Sequence, residues 1–254
     1  MRARTSLVVR QVFLEAREPV PPVWEEADLW RIVVTADGVP CASRWLPSPG
    51  RLAAPETFTQ ALVAPGLKVL REQEAERALR RRMGLAPRRP VPHLTRTVLI
   101  CTHRRPVLLA GALEAVARLD PAPEQVVVVD NAPGDRDCRA VVEAAGATYL
   151  REDRRGLDHA RATGVAAAAG ELVAFMDDDC RPPPGWLARL DEHFADPAVA
   201  AVAGPAFADR LSTRAELEFE RSGGFLRGMA VERFSWTSIP PPAAGRAGAG
   251  ANMT

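Results

Sequence analysis

Leu172-Val173-Ala174-Phe175-Met176-Asp177-Asp178-Asp179-Cys180 is a short apolar run that ends in three carboxylates, and Arg181 and the breakers Pro182-Pro183-Pro184 follow at once. An apolar run of that length bounded by breakers reads as a buried strand. Three adjacent acids repel one another, so a folded chain keeps them only with compensation. Oxygen-rich clusters suit hard cations such as Mg²⁺ or Mn²⁺, and those ions in turn suit phosphates. Taken alone, the triplet is equally well read as a solvated acidic loop after a strand.

Around this stretch, from about residue 95, strands alternate with helices. Thr97 to Thr102 is a first strand, and Pro106 suits the first position of a helix whose Leu109, Ala112, Leu113, Val116 and Leu119 recur at helical spacing. Gln125 to Asp130 is a continuous apolar strand, as expected where helices cover both faces of a sheet. Helices are expected near Arg139–Ala145, over Leu157–Ala169 and around Trp186, Leu187, Leu190 and Phe194. Further strands are expected at Thr148–Leu150 and Val199–Ala203, and a charged helix at Thr213–Arg221. This repetition implies an α/β fold with a doubly wound, mostly parallel sheet.

Residues 1 to about 90 read as a separate small α+β unit. Leu7 to Leu14 is strand-like, and Asp37-Gly38 between two β-rich runs marks a hairpin. Pro40 makes the second hairpin strand an edge strand or a short one. Ala61 to Arg82 reads as a helix stopped near Gly84, and Ala86 to Pro92 as a stiff linker. Arg80-Arg81-Arg82 reads as a helix end that complements the dipole rather than a nucleic-acid patch.

Composition narrows the function. A formal net charge of +1 gives no electrostatic case for nucleic acid as a partner. Cys41, Cys101, Cys138 and Cys180 lie far apart, with no C-x-x-C pair, and read as small buried hydrophobes rather than a disulfide or zinc framework. No run is long and apolar enough for a transmembrane helix, so a cytoplasmic protein is expected, with peripheral association at the inner face of a membrane left open.

In open parallel sheets ligands bind beyond the carboxyl ends of the strands. Thr102-His103-Arg104-Arg105, Asp130-Asn131, Arg154-Arg155-Gly156 and the acid triplet all fall there. Acids and arginines sharing one rim point to a metal with a phosphorylated ligand. The first strand–helix turn lacks G-x-G-x-x-G, and the chain has no G-x-x-x-x-G-K-[ST] loop, which argues against a dinucleotide site and a P-loop.

Thr97 to Pro106, Val128-Val129-Asp130-Asn131-Ala132, Arg155 to Gly164, the acid triplet and Gly248 to Met253 together resemble family 2 glycosyltransferases, in the family's order. The resemblance implies a glycosyltransferase A fold over residues 95–254 that binds a nucleotide-diphosphate sugar and transfers the sugar with inversion. It implies that Thr102 and Asp130 hold base and ribose, with Asn131 and Arg104 nearby. Asp177 and Asp179 match the family's D-x-D and would hold Mg²⁺ or Mn²⁺. Asp178 would contact the sugar or the structure around the metal, and Arg155 and Arg161 the diphosphate or sugar. His103 and His159 receive no catalytic role. Relatives continue beyond the segment matching Gly248 to Met253, so the chain is expected to be C-terminally truncated, and no general base is nominated. The acceptor, whether saccharide, lipid or small molecule, stays open, as does a nucleotide-sugar-binding remnant or interaction module without turnover.

Overall fold

The computed structural model describes residues 8–19, 27–47, 56–84, 93–134, 138–224, 232–235, 237–238 and 252–253. The linker expected at 86–92 and most of the 248–253 segment lie outside these residues. In chain order the elements are β1 (Val9–Glu15), β2 (Leu29–Ala36), β3 (Val39–Pro47), α1 (Glu56–Arg82), β4 (Arg96–Thr102), α2 (Pro106–Val116), β5 (Gln125–Asn131), α3 (Arg139–Ala144), β6 (Thr148–Glu152), α4 (Leu157–Ala167), β7 (Leu172–Asp177), α5 (Trp186–Phe194), α6 (Arg214–Arg221) and β8 (Asn252–Met253). They fall into two compact units, one of residues 1–88 with 207–238, the other of 89–206 with 239–254.

In the first unit β1 pairs parallel with β2, and β2 antiparallel with β3. Asp37 and Gly38 both take positive φ, 51° and 76°, which gives the hairpin the twist its strands need. The Glu15 carboxylate accepts from the Asp37 and Gly38 amides at 3.1 and 2.9 Å and fixes that turn. Trp30, Ile32 and Val34 pack with Leu62 and Leu70 of α1. The helix begins at Glu56 rather than Ala61 and runs through Pro65. Gly66 lets it approach the sheet, because a Cβ there would lie 2.5 Å from that of Ala16. Within the same unit Arg31 forms a buried ion pair with Glu220 of α6.

The second unit holds a sheet in the order β6-β5-β4-β7-β8. The first four strands are parallel and β8 is antiparallel. Alternation explains the continuous apolar runs. Val98, Ile100, Val128, Ala174 and Met176 pack with α2, α3 and α5 on one face. Leu99, Val127 and Val129 pack with Ala160 of α4 on the other. Every residue singled out for that spacing is buried, although α2 ends at Val116 and Leu119 lies just beyond it. The sheet is thus doubly wound, as the repeating pattern implies.

The strand expected over Val199–Ala203 does not form; Ala203 makes only an isolated bridge. The Val199 amide donates to the Asp196 carbonyl at 2.9 Å, so the chain leaves α5 through a turn. The run is rich in alanine, which has little preference for a pleated, half-buried surface.

Candidate functional site

Parallel register sets the carboxyl ends of four strands at one rim. Thr102 stands beside Asp130, Cys101 beside Asp177, and Asn131 beside Glu152. Beyond them opens a cleft of about 370 Å³ lined by Thr102, His103, Arg105, Asn131, Arg155 and the three aspartates, among others.

The middle acid is the fixed one. Asp178 is buried; its Oδ2 accepts from Thr102 Oγ1 at 2.7 Å and its Oδ1 from Arg105 Nη1 at 3.1 Å. Asp179 is half-exposed, 3.5 Å from the same Arg105 nitrogen. Burial, followed by the charge of Asp179, pushes the Asp177 carboxyl above its ordinary value, against the pull of Arg161 and Arg105. Burial also pushes the neighbouring Cys101 and Cys180 thiols up to about 11, which leaves them protonated and poor nucleophiles at neutral pH.

Asn131 carries the opposite wall. Its Nδ2 donates to the carbonyls of Glu152 at 3.3 Å and Arg154 at 2.7 Å, and its Oδ1 accepts from the Gly156 amide at 2.9 Å. The side chain therefore shapes the β6–α4 loop that presents Arg155. Gly156, at φ 141°, makes the turn into α4 in a region that L side chains rarely adopt. Glu152 sits behind the loop, accepting from Arg154 and from Thr163 Oγ1 at 2.5 Å. Held first by the Arg154 side chain, its carboxyl lies far below the usual range. His103 Nδ1 lies 2.5 Å from the Asn131 carbonyl oxygen, which can only accept, so that nitrogen carries the proton.

Of the residues singled out from sequence, Thr102, Asn131, Arg155, Asp177, Asp178 and Asp179 line the cleft. Arg104, Asp130 and Arg161 are not among the lining residues. Arg104 takes φ 58° and donates from Nε to the Pro133 carbonyl. Asp130 is fully buried and accepts from the Cys138 amide and the Tyr149 hydroxyl at 2.7 and 3.2 Å. The Arg161 guanidinium lies 5.8 Å from the Phe175 ring centroid. Arg105, to which the sequence reading gives no role of its own, lines the rim in place of Arg104. Its position directly before Pro106 was the available signal, since that proline opens α2 and puts the preceding residue at the helix mouth.

The Glycosyl transferase family 2 model matches residues 97–246. The chain belongs to that family, and its second unit has the glycosyltransferase A architecture implied by the resemblance. A pre-mycofactocin glycosyltransferase of Mycobacterium tuberculosis is 51% identical over 49 residues, 19% of this chain and 10% of that protein. The succinoglycan biosynthesis protein ExoM of Rhizobium meliloti is 33% identical over 116 residues, 42% of this chain and 37% of that protein. Among solved structures, the mannosyltransferase PcManGT from Pyrobaculum calidifontis, in complex with GDP-Man and Mn²⁺, is similar at 29% identity and a TM-score of 0.42, over 53% of this chain and 42% of that one. The chain spans less than half the length of these relatives.

Proposed function

We propose that the second unit binds a nucleotide-diphosphate sugar and that the protein transfers the sugar, with inversion, to an acceptor that is a saccharide, a lipid or a small molecule. One observation carries this reading: in a chain of this family, the acid triplet, Arg105 and Arg155 converge on a single cleft at the carboxyl rim of the sheet.

The donor set fits a divalent cation. Among the described residues no three His, Cys, Asp or Glu side chains form a metal cage of their own. Mg²⁺ at a phosphate site needs only one or two carboxylates, because phosphate oxygens and water complete its shell. Asp177 and Asp179 would supply those carboxylates, to Mg²⁺ or Mn²⁺. When bound, the cation would stabilise negative charge on the departing nucleoside diphosphate. Arg155 offers the diphosphate a guanidinium of matching geometry. Thr102 and Asn131 act by holding Asp178 and the Arg155 loop, and the buried Asp130 ties the end of β5 to Cys138 and Tyr149. Among the described residues no helix is long and apolar enough to cross a membrane, and a peripheral or cytoplasmic site of action suits this reading.

A second reading, donor binding without turnover, is favoured by the acids that line the cleft: Asp178 is held by Thr102 and Arg105, and Asp177 and Asp179 are the proposed cation ligands. Release of nucleoside diphosphate from a panel of nucleotide-sugars, measured with Mn²⁺ and candidate acceptors, separates the two. Release supports transfer; metal-dependent binding with no release supports the second reading. An Asp179→Ala protein with undiminished metal-dependent nucleotide affinity overturns the site.

A further inference from the structure

Three carboxylates in succession at one strand end need a counter-charge when no cation is present. Arg105 meets them directly, its Nη1 lying 3.1 Å from Asp178 Oδ1 and 3.5 Å from Asp179 Oδ2. The two partners differ in exposure. Asp178 is 6% exposed and also bound by Thr102, so it anchors the guanidinium, whereas Asp179 is 52% exposed and meets only the longer contact. Arg105 itself is 54% exposed on the cleft wall, reaching the acids from the mouth of α2.

We propose that Arg105 is a positioning residue that holds the Asp179 carboxylate in the ligand-free protein, so that a divalent cation arriving alone must displace it. This rests on reading Asp177 and Asp179 as the cation ligands. A guanidinium a few ångströms from an incoming cation repels it, and it also occupies a carboxylate oxygen the cation needs. A cation arriving with a diphosphate meets a different balance. The guanidinium then has phosphate oxygens to turn to, and its planar donors match them. Arg105 would therefore bias the site toward the cation–diphosphate pair over the bare ion.

The test is titration of the full chain with Mn²⁺, free ion being followed by electron paramagnetic resonance, with and without inorganic pyrophosphate. Arg105 is half-exposed, and circular dichroism is the check that the variants fold. Without pyrophosphate, Arg105→Gln is expected to bind Mn²⁺ at least threefold tighter than wild type, and Arg105→Lys, which keeps the charge, to stay near wild type. With pyrophosphate the advantage of the Gln protein is expected to vanish. A Gln protein that binds bare Mn²⁺ no tighter than wild type overturns the inference while leaving the ligand assignment intact. Asp179→Ala is the control: if it leaves Mn²⁺ affinity unchanged, the ligand assignment falls first and the inference with it.

Discussion

Thr102 Oγ1 donates to Asp178 Oδ2 at 2.7 Å and so ties the end of β4 to the turn after β7. The middle acid of the triplet thus belongs to the frame of the cleft, and under the proposed function its outer neighbours are the ones that meet ligand. Thr102→Val keeps the side-chain shape and removes the donor. It is expected to lower stability by about 1–3 kcal/mol, the range for stranding a buried acceptor. Thr102→Ser should stay near wild type. Urea denaturation of the three proteins checks this, and equal midpoints would show that the bond is dispensable.

Asn131 spends its whole amide on the β6–α4 loop. Asn131→Asp replaces two donors with an oxygen that faces the carbonyls of Glu152 and Arg154. The loop should loosen, at about 1–2 kcal/mol from the lost hydrogen bonds. Amide hydrogen exchange at residues 152–156 should quicken at least tenfold, while that of β4 and β5 stays slow.

Part of this site is legible in sequence because burial on both faces leaves a coarse signature. Val98 to Cys101 and Val126 to Val129 are apolar at every position, and only a strand covered on both sides uses such a run. Pro106 marks the start of α2 for an equally local reason. What spacing does not reveal is side-chain direction within a loop. Arg104 and Arg105 are neighbours of one chemistry, and the positive φ of Arg104 accompanies its bond to Pro133 while Arg105 meets the acids. Nor does spacing reveal long-range polar pairing. Arg31 stands in mid-strand among apolar residues, and its partner Glu220 lies far along the chain.

Gly164 shows how closely α4 rides on the sheet. A Cβ at this position would lie 2.3–3.0 Å from three side-chain atoms of the buried Leu99. Gly164→Ala gains helix propensity but overpacks the interface, and overpacking at about 1–3 kcal/mol wins. A lower melting temperature is expected, with partial recovery in the Leu99→Val background, where the two nearest atoms, the δ methyls, are removed. A Gly164→Ala protein more stable than wild type would show that α4 can shift outward.

Glu124 makes stability depend on acid pH. Its carboxyl bonds the Arg96 side chain, which holds its pKa down to about 2 against an ordinary 4.5. A depressed folded-state value means the contribution is complete above about pH 4.5 and fades as pH falls toward 2. Asp191, raised by burial despite its contact with Arg96, works in the opposite direction and softens that slope. Glu124→Gln should lower stability at neutral pH by about 1 kcal/mol, since the group is partly solvated. The loss should shrink on acidification, so melting curves of the two proteins between pH 7 and 2 should converge.

The Arg31–Glu220 pair decides how the first unit holds α6. Both side chains are 2% exposed. The guanidinium also donates to Gln11 Oε1 at 3.2 Å and lies 5.3 Å from the ring centroids of Trp45 and Phe207. The pair itself is weak evidence of net stabilisation, because desolvating two charges offsets their attraction. Breaking it is another matter. Among the described residues Glu220→Ala leaves the buried guanidinium with Gln11 and two aromatic faces, and a loss of about 3–5 kcal/mol is expected. The double change Arg31→Met with Glu220→Leu removes both charges and refills the space, so most of that loss should return. Urea midpoints followed by tryptophan fluorescence give the comparison. If the double variant is no better than Glu220→Ala, the lost stability came from packing of α6 rather than from a stranded charge.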